Sequence, residues 1–204
     1  MQNTPETIVI YDAEYWSDEG CMARGWNGLK DHPPYLIQFS AIKVKLEKGL
    51  PEVDRCNIFL QPVDVFGNNI DLTKYFTDLT HITQDILDEN AQEIPEALSE
   101  IKNFVGEDLC YSYGGDEREI SLSCFLWQQD TPLNPQLCRD VRKMLHTAGM
   151  SEEDLKANTS GSLANFFGLP FDGHIHDATA DSLSILLTFR HFVETEKMSL
   201  SDFI

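Results

Sequence analysis

Three segments near the start of the chain, "TIVIYD", "YLIQFSAIKVKL" and "RCNIFLQP", are rich in β-branched and aromatic residues and read as strands. Turn signals in "KDHPP" and "EKGLPEVD" separate them. The Gly- and Pro-rich stretch "EGCMARGWNGLKDHPP" predicts a long loop, and long loops in compact domains are often functional. A polar segment, "YFTDLTHITQDILDEN", comes next. Helical spacing then takes over: "IPEALSEIKNFV" puts Ile94, Leu98, Ile101 and Val105 on one face. "DLCYSY" predicts a fourth strand closed by Gly-Gly. A helix over "DEREISLSCFLWQQ" follows, with Ile120, Cys124 and Trp127 on its buried face. "QLCRDV" reads as a short strand running into the helix "RKMLHTAG". "TSGSLANFFGLP" reads as a capped helix with a Gly-then-Pro stop, and "DATADSLSILLTFRHFVETEK" as a long amphipathic helix. Strands lead, then helices and strands alternate. This predicts an α/β single domain, a mixed β-sheet flanked by α-helices, over residues 1–204 with its core at about 7–193.

The first strand meets two carboxylates, Asp12 and Glu14. Side chains alternate along a strand, so both point to the same face. Like charges side by side repel, and burial makes the repulsion worse. Either a positive partner such as a divalent metal ion lies between them, or the strand stops at Ile10 or Tyr11 and both groups are solvated in a loop.

Composition narrows the class. Hydrophobic residues make up 42% and charged residues 24%, an ordinary globular balance. No basic region followed by an apolar run opens the chain, so no signal peptide is expected. Apolar runs such as "LSILLTF" are too short to span a bilayer, so no membrane partner is expected. The five cysteines lack CxxC spacing, which predicts reduced thiols and a cytoplasmic location rather than disulfides or zinc. The formal net charge of −19 argues against a module that grips long nucleic acid along a basic stripe. The basic residues form only small clusters, at Lys43, Lys45 and Lys48 and at Arg139, Arg142 and Lys143.

Two other acidic segments can join the pair. Asp116 follows "YGG" where a helix begins. It is either that helix's N-cap or, one turn before Ile120 and on the same face, a carboxylate over the strand ends. Glu117 is the competing acid. In "HIHDATADS", Asp181 falls inside the last helix, Asp177 suits its N-cap, His176 stands at its start and His174 reads as a loop residue. The small residues Ala178, Thr179 and Ala180 would let that helix approach the sheet closely.

"DAE", an Asp after the fourth strand, and H-x-A-x-x-D near the C-terminus together resemble the DEDDh 3′–5′ exonucleases, the superfamily of RNase T and the proofreading exonucleases. "YFTDLTHITQDIL" is similar to the family's segment ahead of its first long helix, with His81 where Gly is usual. The resemblance runs from Ile8 to about Phe192 and implies a ribonuclease H-like fold. It implies that Asp12, Glu14, Asp116 and Asp181 bind two Mg²⁺ or Mn²⁺ ions and that His176 is the general base. It also implies that Ala13, Tyr15, His81 and Ile82 border the terminal nucleotide. The implied substrate is the 3′ end of a short single strand of RNA or DNA, released as nucleoside 5′-monophosphates. Tyr15, Trp16 and Trp26 could stack on bases, or serve as core and lid aromatics. The acidic balance leaves two alternatives: a catalytically silent nuclease-fold binding protein, or an exonuclease that works as a homodimer or under a protein partner supplying the basic track.

Overall fold

The structure, a computed structural model, describes residues 6–204. Strands β1 (Thr7–Tyr15), β2 (Leu36–Lys45) and β3 (Glu52–Leu60) form an antiparallel meander. Two short helices, α1 (Lys74–Thr80) and α2 (Gln84–Asn90), lead to the two-residue β4 (Ala91–Gln92). Then α3 (Ile94–Val105), β5 (Leu109–Ser112), α4 (Asp116–Leu126), β6 (Cys138–Asp140) and α5 (Val141–Thr147) alternate. After α6 (Glu152–Ala157) come a 3-10 turn at Ser160–Ser162, α7 (Leu163–Phe166), α8 (Ala178–Glu194) and a last 3-10 turn at Leu200–Phe203. The sheet order is β4-β3-β2-β1-β5-β6, with β5 parallel to β1 and β6 parallel to β5. This is the expected mixed sheet flanked by helices.

β1 lies in the middle and is covered on both faces, which explains its unbroken apolar run. Ile8 and Ile10 join Ile42 and Val44 of β2 against Ile185, Leu186 and Phe189 of α8. Val9, Tyr11 and Ala13 face the other way, onto Ala97, Leu98 and Ile101 of α3 and Ile120 and Cys124 of α4. Each fully buried Ile or Phe side chain contributes about 1.5–3 kcal/mol. A third cluster, including Trp16, Tyr35, Phe76 and Ile82, lies under the loops.

Three elements differ from expectation. The polar segment around "YFTDLTHITQDILDEN" makes two helices, each capped by a threonine hydroxyl: Thr73 accepts from the Phe76 amide and Thr83 from the Ile86 amide. Only Leu163–Phe166 of "TSGSLANFFGLP" is α-helical; a 3-10 turn closed by a Thr159–Ser162 capping box precedes it. Helix α6 buries no residue, so it has no apolar period to read. All five cysteines are free. Among the described residues no helix is long and apolar enough to cross a membrane.

Candidate active site

β1 continues past its two carboxylates. Asp12 lies opposite Ser40 and Glu14 opposite Gln38 of β2, so the loop alternative falls away. Both side chains point to the α8 face. Helix α8 opens on Asp177, whose carboxylate accepts the Thr179 amide at 3.0 Å, the predicted N-cap. Asp181 lies one turn further in and is 1% exposed. The helix comes close to the sheet because Ala178 and Ser182 face it, and the Ser182 hydroxyl donates to the Ser40 carbonyl at 3.1 Å.

Asp181 is held from two sides. The Ser160 hydroxyl donates to Oδ2 at 3.0 Å and the His176 amide to Oδ1 at 3.3 Å. A Cβ at position 161 would collide with Asp181 Oδ1, so only glycine fits there. His176 adopts the left-handed conformation (φ 71°) just before the helix. Glu14, His176 and Asp181 each offer an atom to one point, all within 4.8 Å of one another.

Asp116 is the first residue of α4. The N-cap is Gly115, and no side chain caps this helix, so the capping role expected as an alternative is not filled by Asp116. Ile120 packs beneath the sheet with Tyr11 and Ala13, opposite to Asp12 and Glu14. Asp116 stands four residues past the end of β5, and its backbone carbonyl accepts the Tyr15 hydroxyl at 3.1 Å. Its charge bears on both Asp12 and Glu14. Glu117 bears on Tyr11, Cys138 and Asp116.

Burial pushes all four carboxyls up. Asp12 and Glu14 stand well above the usual carboxylate range, raised first by desolvation and then by Asp181 and Asp116. Asp181 rises to about 7 by burial, with the Ser160 hydroxyl and the His176 amide pulling the other way. Burial also lifts Asp116 to about 7, against the Ser112 hydroxyl. His176 is pushed down by burial and then by His174. Among the described residues no Lys or Arg forms an ion pair with any of the four acids. Converging oxygen donors with no protein cation between them fit a divalent ion that prefers oxygen ligands.

A stability consequence follows from these directions. A carboxyl whose folded pKa is raised stays protonated in the fold at pH values where the unfolded chain has already released its proton. Its stabilisation is complete below the unfolded value, near 4, and is lost as pH rises through about 7. His176, pushed down, works in the opposite sense, but it is one group against four. The metal-free protein is therefore expected to melt at a lower temperature at pH 8 than at pH 5. A chain of this size moves about 2–4 °C per kcal/mol. Thermal scans in EDTA check this; a melting temperature that rises over that interval contradicts the buried cluster.

The sequence model of the RNase T family, described as an exonuclease, matches residues 9–189. The chain belongs to that exonuclease family. The nuclease domain of 3′hExo, a DEDDh family member solved with rAMP, has a TM-score of 0.76 at 18% identity, over 96% of this chain and 95% of that one. A 3′-exonuclease solved in 3′-end recognition of the histone mRNA stem-loop has a TM-score of 0.73 at 17% identity, over 93% and 82%. Cell-death related nuclease 4 (CRN-4) has 0.72 at 20%, over 93% of this chain and 64% of its own. No match was found among curated proteins. The expected resemblance to DEDDh exonucleases and the ribonuclease H-like fold thus hold.

The remaining expected residues of this RNase T-family chain lie in three places. Ala13 and Tyr15 turn their side chains to the face opposite the carboxylates. Trp16 and Trp26 belong to the cluster under the loops; the Trp16 indole donates to the Asp71 carbonyl at 3.1 Å and the Trp26 indole to the Trp16 carbonyl at 2.9 Å. His81 ends α1 in the left-handed conformation (φ 62°), which explains how a position suited to glycine accepts histidine. Its ring stacks on His174 at 3.8 Å, so this connection lies against the segment that carries His176. Ile82 is buried beside Phe76. Sequence reasoning missed Ser160 and Gly161, whose only trace was a run of small residues, and Gln38.

Proposed function

We propose that this chain is a metal-dependent 3′–5′ exonuclease that hydrolyses the terminal phosphodiester of single-stranded RNA or DNA and releases nucleoside 5′-monophosphates. The observation that carries the reading is the convergence of Asp12, Glu14, Asp116, Asp181 and His176 without a protein cation, in a chain of an exonuclease family. The four acids would hold two Mg²⁺ or Mn²⁺ ions. When bound, such ions acidify the attacking water and neutralise the leaving oxygen.

The chain's own groups do the rest. His176, held neutral near pH 7 by burial, accepts the proton of the attacking water. The water oxygen bonds to phosphorus, the bond from phosphorus to the 3′ oxygen breaks, and that oxygen takes a proton from solvent to end as the new 3′ hydroxyl. Ser160 and the His176 amide hold Asp181 in place throughout. The rAMP in 3′hExo and the 3′-end recognition of its histone-mRNA relative support this polarity and product. Five free thiols support a cytoplasmic setting. The test is digestion of short RNA and DNA strands, with free or blocked 3′ ends, in Mg²⁺, Mn²⁺ or EDTA. Equal digestion of blocked strands sinks the polarity.

Substrate length and salt give a second prediction. The net charge is −19, and three of the six residues in the two small basic clusters are engaged. Arg142 pairs with Asp140, Lys43 with Asp108, and Arg139 donates to backbone carbonyls. Few phosphates are then neutralised by side chains. At about −0.7 per phosphate for single strands, the slope of log K against log salt should be on the order of −1 to −2. Affinity should stop climbing after a few nucleotides, and duplex ends should be poor substrates. Binding in Ca²⁺ across oligonucleotide lengths and salt checks this. A steep slope, with affinity rising through about a dozen nucleotides, would reveal a basic track or a partner that supplies one.

A further inference from the structure

Gln38 is 2% exposed and sits on β2 directly across from Glu14. Its amide uses both of its ends. Nε2 donates to Asn57 Oδ1 at 2.9 Å and to Asp177 Oδ1 at 3.2 Å. Oε1 accepts the Ala178 amide at 3.2 Å. One side chain therefore grips both the cap and the first backbone amide of α8, from the strand position facing Glu14. His176 precedes that cap by one residue, and Asp181 follows it by one turn. The donor end matters. A carboxylate at position 38 would face Asp177 with like charge, next to Glu14, in a site already crowded with carboxylates.

We propose that Gln38 is a positioning residue: its buried amide fixes the first turn of α8 on the sheet and thereby sets His176 and Asp181 against Glu14. The consequence for turnover rests on the exonuclease reading above; the consequence for α8 does not. Gln38→Glu keeps shape and the acceptor for Ala178. Asn57 can turn its amide to donate instead. What is lost is the donor to Asp177, where two carboxylates then meet. Asp177→Asn removes that second charge and remains a good N-cap, its amide oxygen still accepting the Thr179 amide.

Two readouts test this: kcat and KM on a short oligonucleotide, and amide hydrogen exchange of segment 174–182 in the metal-free protein. Gln38→Glu is expected to lower kcat about tenfold or more with KM nearly unchanged, and to speed exchange at the start of α8. Asp177→Asn alone should stay within about threefold of wild type, and Gln38→Glu with Asp177→Asn should recover part of both readouts, because the like charge is gone. Gln38→Leu, which adds no charge, should lose both, and Asp177→Asn should not rescue it; melting temperatures report whether it folds. Unchanged exchange in Gln38→Glu, or altered exchange with wild-type kcat, overturns the assignment. So does a double variant no better than the single one. A wild-type protein without nuclease activity would instead defeat the functional reading, and exchange would still decide whether Gln38 fixes α8.

Discussion

Asp12→Ala is expected to abolish turnover and, in the metal-free protein, to raise the melting temperature. The two effects share a cause. Asp12 is buried on β1 among Asp181, Asp116 and Glu14, and each of those charges makes its ionised form harder to keep. Among the described residues no Lys or Arg pairs with them, so the bare cluster is a site of unrelieved repulsion. Removing one carboxylate relieves part of it. The same change takes away one of the four acids proposed to hold the ions, so Mn²⁺ should stabilise the variant much less than wild type. Activity assays beside thermal scans with and without Mn²⁺ check both halves. Full activity in Asp12→Ala would end the two-ion reading. A melting temperature that falls sharply without metal would mean that Asp12 is a structural group.

His176→Ala is expected to lose roughly 10²–10⁴-fold in kcat while still binding metal. The range is what a positioned general base contributes. Burial holds the imidazole below its ordinary pKa, so it is ready to accept a proton at neutral pH. Its ring also offers a nitrogen within 4.8 Å of carboxylate oxygens of Glu14 and Asp181. Geometry alone therefore allows a second role, and the binding measurement separates the two. Mn²⁺ affinity close to wild type makes His176 the base. Affinity lost together with turnover makes it a ligand.

Much of this site could be read in the sequence because strand and helix periods act locally. An unbroken apolar run marks β1 as covered on both faces, and alternation along it puts Asp12 and Glu14 on one side. Asp177 caps α8 where the apolar period begins, and Asp181 follows one turn later on the face toward the sheet. The rest depends on contacts that no local period encodes. Gln38 meets Asp177 across a separation of 139 residues, and Ser160 meets Asp181 across 21. Asp116 opens the helix that carries Ile120 beneath the sheet, and its charge bears on Asp12 and Glu14 and also on Tyr11 and Tyr15 of the other face. Alternation predicts a face for a strand residue. It does not say which helix terminus will come near. Helix α6 stayed hidden for a simpler reason: it buries nothing.

The most direct test of the central claim is the product formed from a single-stranded oligonucleotide digested in H₂¹⁸O with Mg²⁺ or Mn²⁺, followed by mass spectrometry over time. Strands are expected to shorten one nucleotide at a time from the 3′ end and to end in unlabelled 3′ hydroxyls. Nucleoside 5′-monophosphates are expected to carry one ¹⁸O, with no reaction in EDTA. Internal cuts, 3′-monophosphates, or the same digestion in EDTA would contradict the claim.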